Sequence, residues 1–382
     1  MERESIKRAV QQTRRGWVGA WYAAPMRMRP AGLTGRTLRQ IVHLHAGGEQ
    51  IRLRLSNRYG AAPLTLTSVA VGRVLFGLLV QAASRHPVHF EGQDSVTLAP
   101  GADILSDPID LPVEAQSKLA ISFFVENGDI LTGHFVAMQT SYVSTPGDQS
   151  ALVQMEDLLP AYPLLTTSWW ALSGVEVLPV QPLKALVAFG DSTTDGYGST
   201  RDQNRRWPDY LARRIAAAGG PGAISVLNAG ISFNELLTSR MPLAGEAGVQ
   251  RFTRDVLEQP GVTDVIVQIG INDLRHDAPA TAIIEGLQAL ATQARACQVR
   301  VFGTTIVPAV STPSQAEQWH TVNTWLRERG ADWFDAVFDF AAALQHPTGG
   351  ARLDPTCDSG DGTHPNDLGY QRLADAVDLA QF

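Results

Sequence analysis

The stretch Ala185-Leu186-Val187-Ala188-Phe189-Gly190-Asp191-Ser192-Thr193-Thr194 decides how this chain is read. Ala185 to Phe189 is an apolar run of strand length, and Gly190 permits a sharp exit from it. Ser192 is therefore expected in the loop just past the strand's carboxyl end, the edge at which open α/β sheets build their sites. A serine hydroxyl is a poor nucleophile unaided; it needs an imidazole base and usually a carboxylate that orients the base. Asp361-Gly362-Thr363-His364 offers both, three residues apart. Taken singly, each piece has a plainer reading: Gly-Asp-Ser is an ordinary turn tripeptide, and Asp361 and His364 are a loop carboxylate and a surface histidine.

Two further segments change the balance. Asn228-Ala229-Gly230-Ile231 follows the apolar Ser225-Val226-Leu227, and Gly270-Ile271-Asn272-Asp273 follows Val265 to Ile269. Three loops then meet at one sheet edge. In kind, order and separation these four blocks resemble the SGNH or GDSL hydrolases, over roughly Leu183 to Phe382. The resemblance implies Ser192 as nucleophile, His364 as general base and Asp361 as its orienting carboxylate. It also implies an oxyanion hole made by the Ser192 N–H, a backbone N–H of the second block and the side chain of Asn272. In many relatives that second donor is the glycine of Ser-Gly-Asn or Ser-Gly-Asp. Here the matching stretch is Ser232-Phe233-Asn234, so Phe233 is expected to donate, since any residue but proline has the N–H, while its ring crowds or lines the pocket. Asp191, Gly230 and Asn234 are the remaining pocket and loop candidates, Gly230 as a source of backbone freedom.

Other chemistries fit less well. The α/β-hydrolase elbow needs glycine two residues after the serine, where this chain has Thr194. No His-Glu-x-x-His pair occurs, and Cys297 and Cys357 are not spaced as metal ligands; whether they pair is left open. Asp191, Asp195, Asp358 and Asp361 with His364 form an oxygen-rich set, but the serine-histidine arrangement already uses part of it. Neither metal nor cofactor is expected. His43 and His45 read as a surface pair, and Gly196-Tyr197-Gly198 lacks the third glycine of a dinucleotide loop. Arg205-Arg206-Trp207-Pro208 reads as a helix entry with an early proline.

At 382 residues, 44% apolar and 18% charged, the chain has the composition of a globular protein of two domains. A net charge of −7 argues against nucleic acid or an anionic membrane as main partner. No run approaches a membrane span. Met1 to Arg15 lacks the apolar core of a secretory signal, so the chain as written is expected in the cytoplasm, with secretion left open. Oligomeric state is not legible.

The domain boundary shows as a change of period. From Trp17 to about Leu178 short strands alternate with turns: Leu38–Leu44, Ile51–Leu55, Leu64–Val71, Val88–Phe90, Ser95–Leu98, Leu119–Val125 and Val175–Val180, with no helical stretch between them. This predicts an all-β sandwich, jelly-roll-like, over 17–180. After Pro179 and Pro182 strands alternate with helical spacings: Trp207, Leu211 and Ile215, ended by Gly219-Gly220, then Ile284, Leu287, Leu290 and Ala294. That predicts an α/β domain over 181–382, a parallel sheet of about five strands with helices on both faces; the family implies the three-layer, flavodoxin-like form. Residues 1–16 form an extension. The N-terminal region resembles the β domain preceding the hydrolase in some bacterial GDSL proteins, through Trp17-Val18-Gly19, Thr37-Leu38-Arg39-Gln40, Leu55-Ser56-Asn57 and Gln139 to Ser144. Such a domain binds carbohydrate, shapes the cleft or stabilises, and Trp169-Trp170 is either a sugar platform or core.

The expected function is hydrolysis of carboxylic esters, short-chain acyl or acetyl, through an acyl-enzyme on Ser192, with a small-molecule or carbohydrate ester as partner. The alternative is a carbohydrate-binding or structural protein carrying a relict hydrolase domain.

Overall fold

The structure is a computed structural model that describes residues 16–219 and 224–382. The N-terminal extension up to Arg15, and Gly220 of the expected helix stop, lie outside the described residues. Contacts divide the described residues into two compact units, Gly19–Pro182 and Leu183–Phe382, the second also including residues 16–18.

The first unit is built from strands because its apolar residues recur at every second position. Ile51, Leu53 and Leu55 are fully buried, while Arg52 and Arg54, on the opposite face, both reach Glu176 of the neighbouring strand, at 2.6 Å. One sheet has the order Val18–Tyr22, Leu172–Leu178, Gln50–Ser56, Asp103–Leu105. A larger one runs Leu164–Thr166, Ser141–Pro146, Arg36–His43, Lys118–Asn127, Leu64–Phe76, Leu79–Val80. Neighbouring strands in this order pair antiparallel.

Three expectations are corrected in this unit. Val88–Phe90 is not a strand: pairing occurs one step earlier, at His86–Pro87, and Phe90 makes a lone bridge to Gln93. A helix does interrupt the strands, Met155–Ala161, with Glu156 and Asp157 in its first turn where the backbone dipole favours acid. Leu158, Ala161 and the following Tyr162 pack on Leu78, and that burial holds so short a helix in place. His45 is buried rather than on the surface, its ring edge-on to His43 with centroids 5.4 Å apart. Trp169 and Trp170 are core: both are buried, Trp169 Nε1 donates to Ile41 O at 2.9 Å, and Trp21 meets the Trp169 ring edge-on.

The second unit holds a five-stranded parallel sheet in the order Ile224–Gly230, Lys184–Gly190, Val262–Gln268, Arg300–Thr304, Ala336–Phe338. After Lys184–Gly190 the chain turns to one side of that strand and then crosses to the other, so its end is the topological switch point where such sheets open a crevice. Ala185 to Phe189 are completely buried, as a strand covered on both faces should be. The connecting helices carry the expected apolar faces. Trp207–Gly219 buries Trp207, Leu211 and Ile215. Ala280–Ala296 buries Ile283, not Ile284, with Leu287, Leu290 and Ala294. Pro313–Arg329 begins on proline, with Thr312 Oγ1 accepting the Gln315 N–H at 3.2 Å. Asn228, Ala229 and Gly230 are the last strand residues rather than loop, because their register continues to the end of the neighbouring strand, Gly230 opposite Gly190.

Candidate active site

Ser192 is the first residue of a one-turn helix, Ser192–Asp195, capped by Asp191, whose Oδ1 accepts the Thr193 N–H at 2.9 Å. The turn demands glycines for lack of room. A Cβ on Gly190 would stand 2.2 Å from Thr194 Oγ1 and 2.3 Å from Gln268 O, and one on Gly230 would stand 2.2 Å from Asp195 N. Gly230 thus serves close approach of strand to helix, not backbone freedom, and its φ is not in the left-handed region.

The chain returns to this serine 172 positions later. His364 Nε2 lies 2.9 Å from Ser192 Oγ, and His364 Nδ1 lies 2.6 Å from Asp361 Oδ2. With Nδ1–H donating to the carboxylate, Nε2 is left as an acceptor facing the hydroxyl. Asp361 Oδ1 accepts the backbone N–H groups of Thr363 and His364, so one carboxylate fixes both ring and loop. Burial works to raise the Asp361 carboxyl, but the His364 ring and these N–H groups outweigh it and hold it below its ordinary range. Asp358 braces the same loop by accepting the N–H of Gly360 and Gly362. The Tyr197 ring packs beside the imidazole, centroids 4.6 Å apart.

Two more loops complete the edge. Asn234 N–H donates to Ile231 O at 3.2 Å, closing a four-residue turn in which Phe233, third in the turn, has φ +66°. Of the common turns only type II places a positive φ there alone, and it normally takes glycine. Phe233 therefore occupies a glycine's conformation, at a cost of about 1 kcal/mol, with its ring half-exposed. Asp195 Oδ2 anchors the turn by accepting the Ser232 N–H and Oγ–H, at 2.8 and 2.6 Å. Asn272, in the short helix Ile271–Arg275, donates from Nδ2 to Asn234 O at 2.9 Å, and its second amide N–H remains for another acceptor. The backbone N–H groups of Ser192 and Phe233 meet no protein acceptor among the described residues.

Asn234 is no pocket residue. It is fully buried, with Nδ2 donating to Ala244 O and Glu246 O and Oδ1 accepting from Arg251. Asp191 is buried too: its Oδ2 has no hydrogen-bond partner within 3.5 Å, and burial, opposed by the Thr193 N–H, pushes its carboxyl up to about 7. Each remaining carboxylate of the oxygen-rich set is engaged by donors of its own neighbourhood. Arg205 pairs with Asp367 and Arg206 with Asp209.

Sequence reasoning missed Asp273 and Arg251. Asp273 accepts the N–H of Leu236 and Leu237, and burial lifts its carboxyl above the ordinary value despite them. Arg251 is buried completely. The one signal for it was Asp255 four positions on, a helical ion-pair spacing.

A serine, an imidazole and a carboxylate thus stand in hydrogen-bonded series at the switch point of a parallel sheet. Residues 188–372 match the model of the GDSL-like lipase/acylhydrolase family; the second unit thus carries a domain of the SGNH/GDSL hydrolase type. Solved structures to which part of the chain is similar include a psychrotrophic esterase from Pseudoalteromonas sp., 19% identical over 50% of this chain and 93% of that one, TM-score 0.40. A carbohydrate acetylesterase from Sinorhizobium meliloti is 16% identical over 50% and 95%, TM-score 0.40. A GDSL-like lipase from Bacteroides thetaiotaomicron is 18% identical over 53% and 91%, TM-score 0.39. No curated protein matches the chain. No helix among the described residues is long and apolar enough to cross a membrane.

Proposed function

We propose that the chain is a carboxylic-ester hydrolase working through an acyl-enzyme on Ser192. The observation that carries this reading is the position of His364, held by Asp361 with its free nitrogen 2.9 Å from the Ser192 hydroxyl. In the first half-reaction Ser192 Oγ attacks the ester carbonyl as His364 takes its proton; collapse breaks the bond to the alcohol, which leaves with that proton. In the second, water attacks the acyl-enzyme by the same relay, releasing the acid and restoring the serine. The tetrahedral oxygen is received by the Ser192 N–H, the Phe233 N–H and the second N–H of Asn272. The first two lack other protein partners and the third is oriented by its bond to Asn234.

The substrate class is short-chain acyl or acetyl esters, because the Phe233 ring stands where relatives carry glycine. The parallel sheet's strand order supports a flavodoxin-like three-layer domain over 181–382, and the antiparallel sheets of 17–180 support a jelly-roll-like sandwich in an accessory role. Replacing Ser192 by Ala is expected to lower hydrolysis of p-nitrophenyl acetate and butyrate by at least about 10⁴-fold and to abolish labelling by a fluorophosphonate, with the melting temperature unchanged. Near wild-type turnover in that variant would end the proposal.

A further inference from the structure

Resting on the ester-hydrolase reading, we infer that Arg251 is a positioning residue for the oxyanion hole, acting through Asn234 and the ends of two strands. Arg251 lies in the short helix Gly248–Phe252, which runs directly into a π-helical turn, Thr253–Leu257. Such wide turns occur often at functional sites.

The guanidinium has five donors in a fixed plane, and this one spends four on the architecture beneath the site. Nη2 donates to Gly190 O at 2.7 Å, Nη1 to Ala229 O at 2.8 Å and to Asp255 Oδ2 at 2.9 Å, and Nε to Asn234 Oδ1 at 2.9 Å. Its carbon lies 4.1 Å from the centroid of the Phe189 ring. Gly190 is two residues before the nucleophile. Ala229 is the last residue but one of the neighbouring strand, and Asn234 closes the turn that aims the Phe233 N–H.

Each contact answers a need created by the fold. Gly190 O receives the guanidinium beside the Ile231 N–H at 3.1 Å, and the buried cation in turn needs acceptors, because an interior polar group left bare costs about 1–3 kcal/mol. Asp255 neutralises the cation: burial works to raise its carboxyl, yet Arg254 and Arg251 together hold it below the ordinary range. Asn234 then passes the constraint on. Its side chain is fully committed, and its own carbonyl receives the Asn272 amide at 2.9 Å. One buried cation therefore links the nucleophile strand, the Phe233 turn and the Asn272 side chain, which together supply all three proposed oxyanion donors. No lysine could replace it, because an ammonium presents its donors from a single point and cannot span acceptors on three segments.

The test compares Arg251→Lys with the wild type on p-nitrophenyl acetate, with rates normalised to sites titrated by a fluorophosphonate. The expected result is a fall in kcat of about 10–100-fold, the scale for a misplaced reacting geometry. KM stays within about threefold and the pH midpoint of kcat/KM is unchanged, because the His364–Asp361 pair is untouched. In the Arg251→Lys background, Asn272→Ala should cost less than about tenfold instead of the usual 10²–10³ for an oxyanion donor. If Arg251→Lys does not fold, Asn234→Ala carries the same measurements, since it cuts the link while keeping the backbone carbonyl that receives Asn272. A variant that melts earlier but keeps kcat per titrated site within threefold, or full additivity with Asn272→Ala, overturns the inference. A wild type that fails to hydrolyse the ester overturns the parent reading, and this inference with it.

Discussion

Each unit holds an almost completely buried arginine that acts as a staple, Arg39 in one and Arg251 in the other, and the two are wired differently. Arg39 in the β unit, 1% exposed, donates to Ser122 Oγ, Leu78 O, Ser150 O and Leu152 O, and its carbon lies 5.1 Å from the centroid of the Tyr162 ring. No carboxylate is among these acceptors, and burial lowers its pKa from the ordinary value. Arg251 in the hydrolase unit has a buried counterion, and its other acceptors belong to the segments carrying the site. The same planar fork thus solves two problems. In one unit it pins the loop carrying Ser150 and Leu152 to a sheet; in the other it pins the carboxyl ends of strands, which is where a parallel sheet puts its chemistry. A buried arginine is read by what its acceptors are attached to.

The comparison breaks most visibly at the oxyanion hole. Asn272→Ala is expected to lower kcat by about 10²–10³-fold with little change in stability, checked by steady-state kinetics beside a thermal melt. Arg39→Leu should do the reverse. Stranding the Leu78 and Leu152 carbonyls costs about 2–3 kcal/mol, read as a lower urea midpoint, while kcat per titrated site stays at the wild-type value.

Asp191 sharpens the contrast through pH. Its carboxyl is raised from the ordinary 3.8 to about 7 by burial, so between those values the folded state holds a proton that the unfolded chain has released. Stability contributed by this group is therefore full below about pH 4 and falls as pH rises toward 7. The stability of the wild type relative to Asp191→Asn should decline across that window and level off above it, measured by denaturant titration at several pH values. A flat difference would mean that the carboxyl is not held neutral.

The smallest effect is expected at Phe233. Substituting Gly removes a left-handed strain of about 1 kcal/mol and adds glycine's entropic cost of 0.5–1 kcal/mol, so stability should move by less than about 1 kcal/mol. The acyl-length optimum across acetate to palmitate esters should shift toward longer chains. An unmoved optimum would show that the ring does not bound the acyl site.

Local chemistry was legible in the sequence where the physics is local. The Asp361–His364 spacing is short enough for one loop to hold both groups, and the Ala185–Phe189 run marks a strand that can only be buried. The reading failed where a segment is held by distant partners. Met155–Ala161 is a helix because Leu78 and Tyr162 cover it, and Asn228 to Gly230 are strand because Ala188 to Gly190 lie beside them in register.

By itself the sequence determined the two rhythms, period two and then alternating strands and helices, and the chemical alphabet of the site: a serine after a buried strand, and a histidine with a carboxylate three positions before it. These follow from covalent neighbours and from the transfer of apolar side chains out of water, both of which act at short range along the chain. Only the tertiary structure decided that His364 reaches Ser192 across 172 positions, that Phe233 takes a glycine's backbone, and that Arg251 braces three segments at once. Hydrogen-bond acceptors at strand ends become costly only when the fold buries them, so the residue that answers that cost carries no signature until the ends are brought together.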